Sequence, residues 1–151
     1  MKILIYLLCL IPWFLSSLIP FNESFYSTLT LPFFTPPNSF FPIAWTITYI
    51  CISISIYKVI SKYTLKNTTQ EYKRSLVINY LFNQSFSFVF FALQNTFLGF
   101  ISSIGTFISC LFLYEETSKL DDASTKYLNL YVLLSLFATV LCLTIYILNA
   151  R

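Results

Sequence analysis

The sequence predicts an all-α polytopic membrane protein, one domain over residues 1–151 built as a bundle of five transmembrane helices. Charge is scarce. Only 10% of residues are charged and 57% are hydrophobic, where soluble domains carry about 25% charged residues. Charge is also segregated: no Asp, Glu, Lys or Arg occurs from Ile3 to Asn22, Ser24 to Tyr57, Ser75 to Tyr114 or Tyr127 to Ala150. A helix needs about 20 apolar residues to cross a bilayer core. None of these stretches carries the charged face that a helix of a soluble all-α protein turns to water.

The first helix is expected at about residues 3–20. Lys2 and the apolar run after it fit the start of a secretory signal. Pro12 interrupts that run, however, and no small-x-small cleavage site follows cleanly, so the helix is read as retained. The second helix is expected at about 40–60. Pro36-Pro37 opens a stiff turn, because proline fixes φ and forces the preceding residue away from helix. Pro42 then fits a first helical turn, where its missing N–H is harmless. Trp45 and Tyr49 follow at i+3 and i+7 and share its face. The run from Ile50 to Tyr57 alternates Ile with Cys or Ser like a strand, but an open strand leaves its backbone unsatisfied in lipid, so helix is expected there.

Ser75 to Tyr114 is twice the length of one span, and the polar pair Gln94-Asn95 divides it into helices at about 75–93 and 97–114. The fifth helix is expected at about 127–149. Basic residues set the orientation. Lys2, Lys58, Lys62, Lys66, Lys73, Arg74, Lys119 and Lys126 fall on one side, in the N-terminus and the loops joining helices 2 to 3 and 4 to 5, against Arg151 alone on the other. The expected topology is N-terminus cytoplasmic and C-terminus opposite, in a multi-pass protein of a bacterial cell membrane.

Polar residues inside the helices form stripes. Helix 2 places Thr46, Tyr49, Ser53 and Tyr57 on one face; helix 3 places Asn79, Asn83 and Ser87 with Tyr80 and Gln84 beside them. Helix 4 presents Gly99, Ser102, Ser103, Thr106 and Ser109, and helix 5 presents Ser135, Ala138, Cys142 and Tyr146. Small residues let helices approach closely and hydroxyls bond across the seam, which accounts for helix 4. Trp45, Tyr49, Phe86 and Tyr146 are too bulky for that role, and facing one another they are expected to line a cavity.

The composition excludes several chemistries. There is no histidine, and Cys9, Cys51, Cys110 and Cys142 lie on four different helices without C-x-x-C spacing, so no metal site is expected. All six carboxylates are expected in loops, leaving no proton shuttle within the membrane and no catalytic constellation. The basic residues border the membrane rather than one face of a soluble domain, and no nucleic acid is implied. At most they favour anionic lipid headgroups. The neutral, aromatic, hydroxyl-bearing bundle suits a flat amphiphilic ligand.

These residues resemble the tryptophan-rich sensory protein family, also called the translocator protein or peripheral benzodiazepine receptor family. Three blocks carry the resemblance: Pro32-x-x-x-Pro36-Pro37 with Phe41-Pro42 and Trp45-Thr46-x-x-Tyr49; Asn83-x-x-Phe86-Ser87-x-x-Phe90-Phe91 with Asn95; and Phe137-Ala138-Thr139-Val140-Leu141 ending at Asn149. The resemblance implies a five-helix membrane receptor or carrier for porphyrin-like ligands. It places Phe41, Ala44, Asn83, Phe86, Ala138 and Leu141 at the pocket, to which the stripe adds Trp45 and Tyr49. Aromatic faces would stack on the macrocycle, Asn83 would supply a hydrogen bond, and the loop from Phe21 to Phe41 would cover the cavity.

The departures also matter. Only Trp13 and Trp45 are present, and Phe34, Ser39, Phe86, Phe107, Leu134 and Tyr146 stand where many relatives carry tryptophan. Ser102 stands for a helix 4 Asp and Cys142 for a helix 5 Asn. Light-driven porphyrin degradation, attributed in some relatives to pocket tryptophans, is therefore not expected, and the protein is read as a binder without a cofactor rather than an enzyme. The animal cholesterol motif fails because its tyrosine aligns with Leu143. Expected partners are a tetrapyrrole or other flat hydrophobic ligand and membrane lipid, and a homodimer is compatible with the pattern. The alternatives are a structural or interaction protein without a ligand, and a proton-independent lipid or solute transporter.

Overall fold

The computed structural model describes residues 2–150. The chain begins with helix α1, Lys2–Leu10, which tightens into a 3₁₀ segment over Ile11–Leu18. Pro12 lies at its start, where the missing N–H favours a change of winding. A two-turn helix α2, Glu23–Thr28, follows where a loop was expected. Asn22 caps it by accepting the Phe25 N–H at 3.0 Å. The Pro-rich turn leads into α3, Phe40–Asn67, with Pro42 in its first turn as predicted.

α3 continues beyond residue 60 and breaks at Thr64, whose φ of 56° is left-handed. α4, Gln70–Ser87, starts before residue 75 because Thr69 caps it by accepting the Tyr72 N–H at 3.2 Å. At its far end lies one wide π turn, Phe88–Ala92, where the Leu93 N–H reaches the Phe88 carbonyl at 2.9 Å. Gln94, at φ 52°, turns the chain, and Asn95 caps α5 by accepting the Leu98 N–H at 2.9 Å. α5, Thr96–Thr125, reverses at Asp121, where φ −156° and ψ 91° interrupt the helix. The 3₁₀ turn Lys126–Leu128 and α6, Asn129–Asn149, complete the return.

Each expected helix lies on one of five helical rods, several of which run past the expected bounds, and the loops expected to hold the basic residues are mostly helix. Lys58, Lys62 and Lys66 ride on α3, and Lys73 and Arg74 on α4. A count of apolar residues ends a span at its first charge, whereas backbone hydrogen bonds carry the helix on into the headgroup region. At the Asp121 reversal, the Ser124 hydroxyl and the Lys62 ammonium at 3.3 Å hold the carboxyl below its ordinary range.

The bundle is inside-out relative to a soluble protein. Large apolar side chains face outward, among them Ile3 at 77% and Leu18 at 78% exposure, while Asn79, Ser53, Ser102 and Ser135 are buried. Helical stretches Phe40–Asn67, Gln70–Ala92 and Thr96–Asn149 are long and apolar enough to cross a membrane, the last folded back on itself, and Lys2–Leu18 is a shorter apolar helix. This is an all-α membrane protein.

α5 is the central rod, packed on α4 and α6. Its small stripe works as anticipated. A Cβ on Gly99 would collide with the Phe90 ring, and one on Gly105 with the Phe82 ring. The Ser102 hydroxyl donates to the Phe82 carbonyl at 2.8 Å, a close interhelical bond that only a small residue permits.

Candidate functional site

The upper half of the bundle encloses a cavity of 620 Å³, within the roughly 300–1,000 Å³ range of small-molecule sites. All five rods and the connecting segment contribute to it, the first rod through Phe14, Ser16 and Ser17 and α5 through Ser103 and Thr106. The first turns of α3 supply Phe41, Trp45 and Tyr49 at spacings of four. α4 and its π turn supply Asn83, Phe86, Phe90 and Phe91. The extra residue in that turn rotates the backbone so that neighbouring Phe90 and Phe91 both reach the cavity. Phe86 lies stacked on Phe90, with centroids 5.3 Å apart and planes 13° apart. α6 supplies Ser135, Ala138, Leu141, Cys142 and Ile145.

Beneath the cavity the bundle is sealed by aromatics and amides. Trp13 is only 2% exposed and packs on Tyr49, Tyr80 and Tyr131. Tyr49 donates to Asn83 Oδ1 at 3.0 Å, and Gln84 Nε2 donates to the same oxygen at 2.9 Å. Asn83 Nδ2 donates to the Tyr131 hydroxyl at 3.2 Å, which in turn donates to Asn79 Oδ1 at 2.9 Å. Asn79 Nδ2 then reaches the Thr106 carbonyl at 3.1 Å and Ser109 Oγ at 3.0 Å. This chain links α3, α4, α5 and α6 through the buried side chains of Tyr49, Asn79, Asn83 and Tyr131, where an unpaired polar group is costly.

The cover is the segment between the first rod and α3. Phe25, Tyr26, Leu29, Leu31 and Phe34 pack on the cluster of Phe90, Leu141 and Ile145. Asn149 clasps the segment: its Oδ1 accepts the Thr30 N–H at 2.9 Å and its Nδ2 donates to the Thr30 carbonyl at 3.0 Å.

The opening lies between the first rod and α3. The lining residues exposed at the molecular surface are Ser17, Phe21, Asn38, Ser39, Pro42 and Thr46. All lie at the end of the first rod or at the start of α3. α1 packs on α3, whereas the 3₁₀ segment after it packs on α4. Tyr80 donates to the Pro12 carbonyl at 3.0 Å and Gln84 to the Trp13 carbonyl at 3.1 Å, drawing that segment away from α3.

Polarity is graded along the cavity. Deep hydroxyls already donate to backbone: Ser103 to Phe100, Thr106 to Ser102 and Ser135 to Val132. At the opening, Asn38, Ser39 and Thr46 line the cavity, and Thr46 and Asn38 make no side-chain hydrogen bond among the described residues. The interior thus offers aromatic faces, and unengaged polar groups stand at the rim. Among the described residues no cluster of His, Cys, Asp or Glu has metal-ligand geometry.

Of the residues expected at the pocket, Phe41, Trp45, Tyr49, Asn83, Phe86, Ala138 and Leu141 line this cavity, and Ala44 does not. The Ala44 carbonyl instead accepts the Thr48 hydroxyl on another face of α3. Tyr146 is also turned away, with its ring 5.3 Å from that of Phe97. It lies on the flank of α6 that carries Thr139, whose hydroxyl donates to the Ser103 carbonyl of α5 at 3.0 Å. Asn83 is engaged as a hub, which leaves one N–H of its amide for anything in the cavity. The helix 5 stripe already carried Cys142, but the sequence did not point to Phe90, Phe91 or Ile145 as lining; for the π turn in particular, no residue pattern marks the change of winding.

An inside-out bundle around a cavity of small-molecule size defines a helical membrane protein with an internal cavity. Comparison with known proteins fixes its family. Residues 4–148 match the model of the TspO/MBR family. The chain is 33% identical over 134 residues to the tryptophan-rich protein TspO of Bacillus cereus, covering 89% of this chain and 86% of that one. It is 31% identical to the tryptophan-rich protein TspO of Archaeoglobus fulgidus, covering 85% and 82%, and 30% identical to the uncharacterized membrane protein YtaB of Bacillus subtilis, covering 87% and 84%. The chain belongs to the TspO/MBR family.

Proposed function

We propose that the protein is a receptor or carrier for a flat, hydrophobic ligand with a polar edge, of the tetrapyrrole class, held in the 620 Å³ cavity. The observation that carries this reading is the polarity gradient. Aromatic faces of Trp45, Tyr49, Phe86 and Phe90 line the interior, and Asn38, Ser39 and Thr46 stand at the opening. A macrocycle would stack against the rings while its polar substituents remain at the rim. In this reading the ligand enters between the end of the first rod and the start of α3, from the cell membrane that holds the protein with its N-terminus cytoplasmic. The protein acts by binding rather than chemistry: the lining residues include no carboxylate, and the buried Cys142 thiol has the Ser103 hydroxyl beside it and no basic side chain among the lining residues.

Titration of the purified protein with protoporphyrin IX tests this. Saturable binding is expected at about one ligand per chain, with a rise in thermal stability. Under illumination, the porphyrin absorption band should fade no faster than with an unrelated membrane protein. Absence of saturable binding would overturn the receptor reading, and protein-dependent formation of a defined product would overturn the reading as a binder alone.

A further inference from the structure

The end of the bundle away from the cavity carries a second feature that the ligand reading does not use. Lys58 Nζ lies 5.1 Å from the ring centre of Tyr127, and Lys126 Nζ lies 5.2 Å from the same centre. Two ammonium groups from different rods thus converge on one ring. Among the described residues, the ion pairs are Lys62 with Asp121 at 3.3 Å and Lys119 with Glu115 at 2.8 Å and Glu116 at 2.7 Å. Neither Lys58 nor Lys126 has a carboxylate partner among them. Asp121, the acid at this turn, is engaged by Lys62 and by the Ser124 hydroxyl. The Asp121 carboxylate feels the Lys58 charge without pairing with it, so the cluster keeps an excess of positive charge that the aromatic face offsets only in part.

The position of this pair is defined independently by the sequence. Lys58 ends the charge-free run from Ser24, and Lys126 immediately precedes the charge-free run from Tyr127 to Ala150. The fold brings these two boundaries to a single ring, because α3 packs on the Lys126–Leu128 turn. A neighbouring pair, Tyr6 and Tyr57, meets edge to face at 6.0 Å between the first rod and α3. Tyrosine is enriched where hydrocarbon meets headgroups. Below Lys126, Leu130 at 39% and Leu133 at 65% exposure continue the same face of α6 at i+4 and i+7. The arrangement is a cationic seat above an apolar track.

We propose that Lys58, Lys126 and Tyr127 form a binding site for the phosphate of an anionic phospholipid, whose acyl chain lies along Leu130 and Leu133. Both ammonium groups stand beside the Tyr127 ring and would donate to a phosphate seated there. The half-buried stem of Lys58 holds its head in place, while exposed Lys126 closes on the lipid from the other rod. Bound lipid would then tie α3 to the final rod at the Asp121 reversal.

The test uses the full chain in neutral detergent, with thermal stability and native mass spectrometry as readouts. Phosphatidylglycerol should raise the melting temperature and leave a retained adduct, and phosphatidylcholine should do neither. Lys58→Gln/Lys126→Gln should weaken phosphatidylglycerol binding tenfold or more. The charge-matched control Lys66→Gln/Lys73→Gln should retain it, and Tyr127→Phe, which keeps the ring, should also retain it. If the double variant does not fold in phosphatidylcholine, the exposed Lys126→Gln alone carries the comparison. Equal loss in the Lys66/Lys73 control would show diffuse attraction and overturn the site. Equal stabilisation of the wild type by inorganic phosphate at the same concentration would overturn the lipid assignment in favour of a soluble anion.

Discussion

Trp13 stacks on Tyr49 with ring centroids 5.8 Å apart and planes 29° apart, which places the indole beneath the cavity rather than in its wall. Trp45, one turn earlier on α3, packs on the same Tyr49 in a tilted arrangement at 5.7 Å and 36°, and does line the cavity. The two tryptophans therefore differ in role although they share a partner. Trp13→Ala removes a buried ring from the core, and such truncations cost about 3–5 kcal/mol. Trp45→Ala enlarges a space that is already open. The expected result is a large fall in melting temperature for Trp13→Ala alone. Trp45→Ala should instead lose about tenfold in porphyrin affinity, roughly 1.4 kcal/mol. The reverse assignment of the two effects would refute the division into floor and wall.

The hydroxyl of Tyr131 joins Asn83 to Asn79 in the sealed region under the cavity. Tyr131→Phe keeps the ring but strands one amide nitrogen and one amide oxygen. Interhelical hydrogen bonds in membranes contribute about 0.6–2 kcal/mol, so a loss in that range is expected in denaturant unfolding within a fixed detergent. Because Tyr131 does not line the cavity, ligand affinity of the folded variant should change less than twofold. A large affinity loss at unchanged stability would mean that the network reaches the ligand directly.

How far the sequence reveals this structure depends on which physical signal each feature leaves. Rods announce themselves because lipid demands long charge-free helices, so α3 and α6 were legible from composition alone. The inward face of α3 was legible because Phe41, Trp45 and Tyr49 recur at helical spacing. Tyr146 misled because a residue on the flank of an arc has nearly the same spacing as one at its centre, and only the neighbour, Phe97, decides. The role of Asn83 was partly hidden, since a polar residue on a stripe is equally suited to a ligand or to Tyr49, Gln84 and Tyr131. Short α2 left only the Asn22 cap and Glu23 as signals within a segment dominated by prolines downstream.

The cover is pinned at Thr30 by two hydrogen bonds from the Asn149 side chain. Asn149→Ala removes both while leaving the apolar contacts of Phe25, Leu29 and Phe34 in place. Faster hydrogen exchange is expected from about residue 22 to 39, with porphyrin dissociation accelerated severalfold and the global melting temperature within a few degrees of wild type. Unchanged exchange across that segment would show that apolar packing alone holds it.

Thr64 and Gln94 both turn the chain at positive φ, at the junction of α3 with α4 and of α4 with α5. They consequently mark opposite ends of α4, and both are exposed. In a background without native cysteines, Thr64→Cys should react with an impermeant thiol reagent only from the cytoplasmic side and Gln94→Cys only from the other. The basic residues gathered at the Thr64 end motivate that orientation. Labelling of both positions from one side would contradict the five-span topology.

Ala138 decides most directly whether the cavity receives a ligand. Its small side chain faces Trp45, Tyr49 and Phe86 across the space bounded by α3, α4 and α6. In a closely packed seam, adding a phenyl ring forces neighbours out of their rotamers at a cost of about 1–3 kcal/mol. Within 620 Å³ of open volume the ring has room, so Ala138→Phe should melt within a few degrees of wild type. The same ring occupies part of the surface on which a macrocycle would lie, and affinity for protoporphyrin should fall tenfold or more, about 1.4 kcal/mol. Stability and affinity therefore move separately if the space is a ligand site, whereas a packed seam would show a sharp stability loss and no binding in the wild type. A variant that binds porphyrin as well as wild type would place the ligand elsewhere on the protein and remove Ala138 from the site.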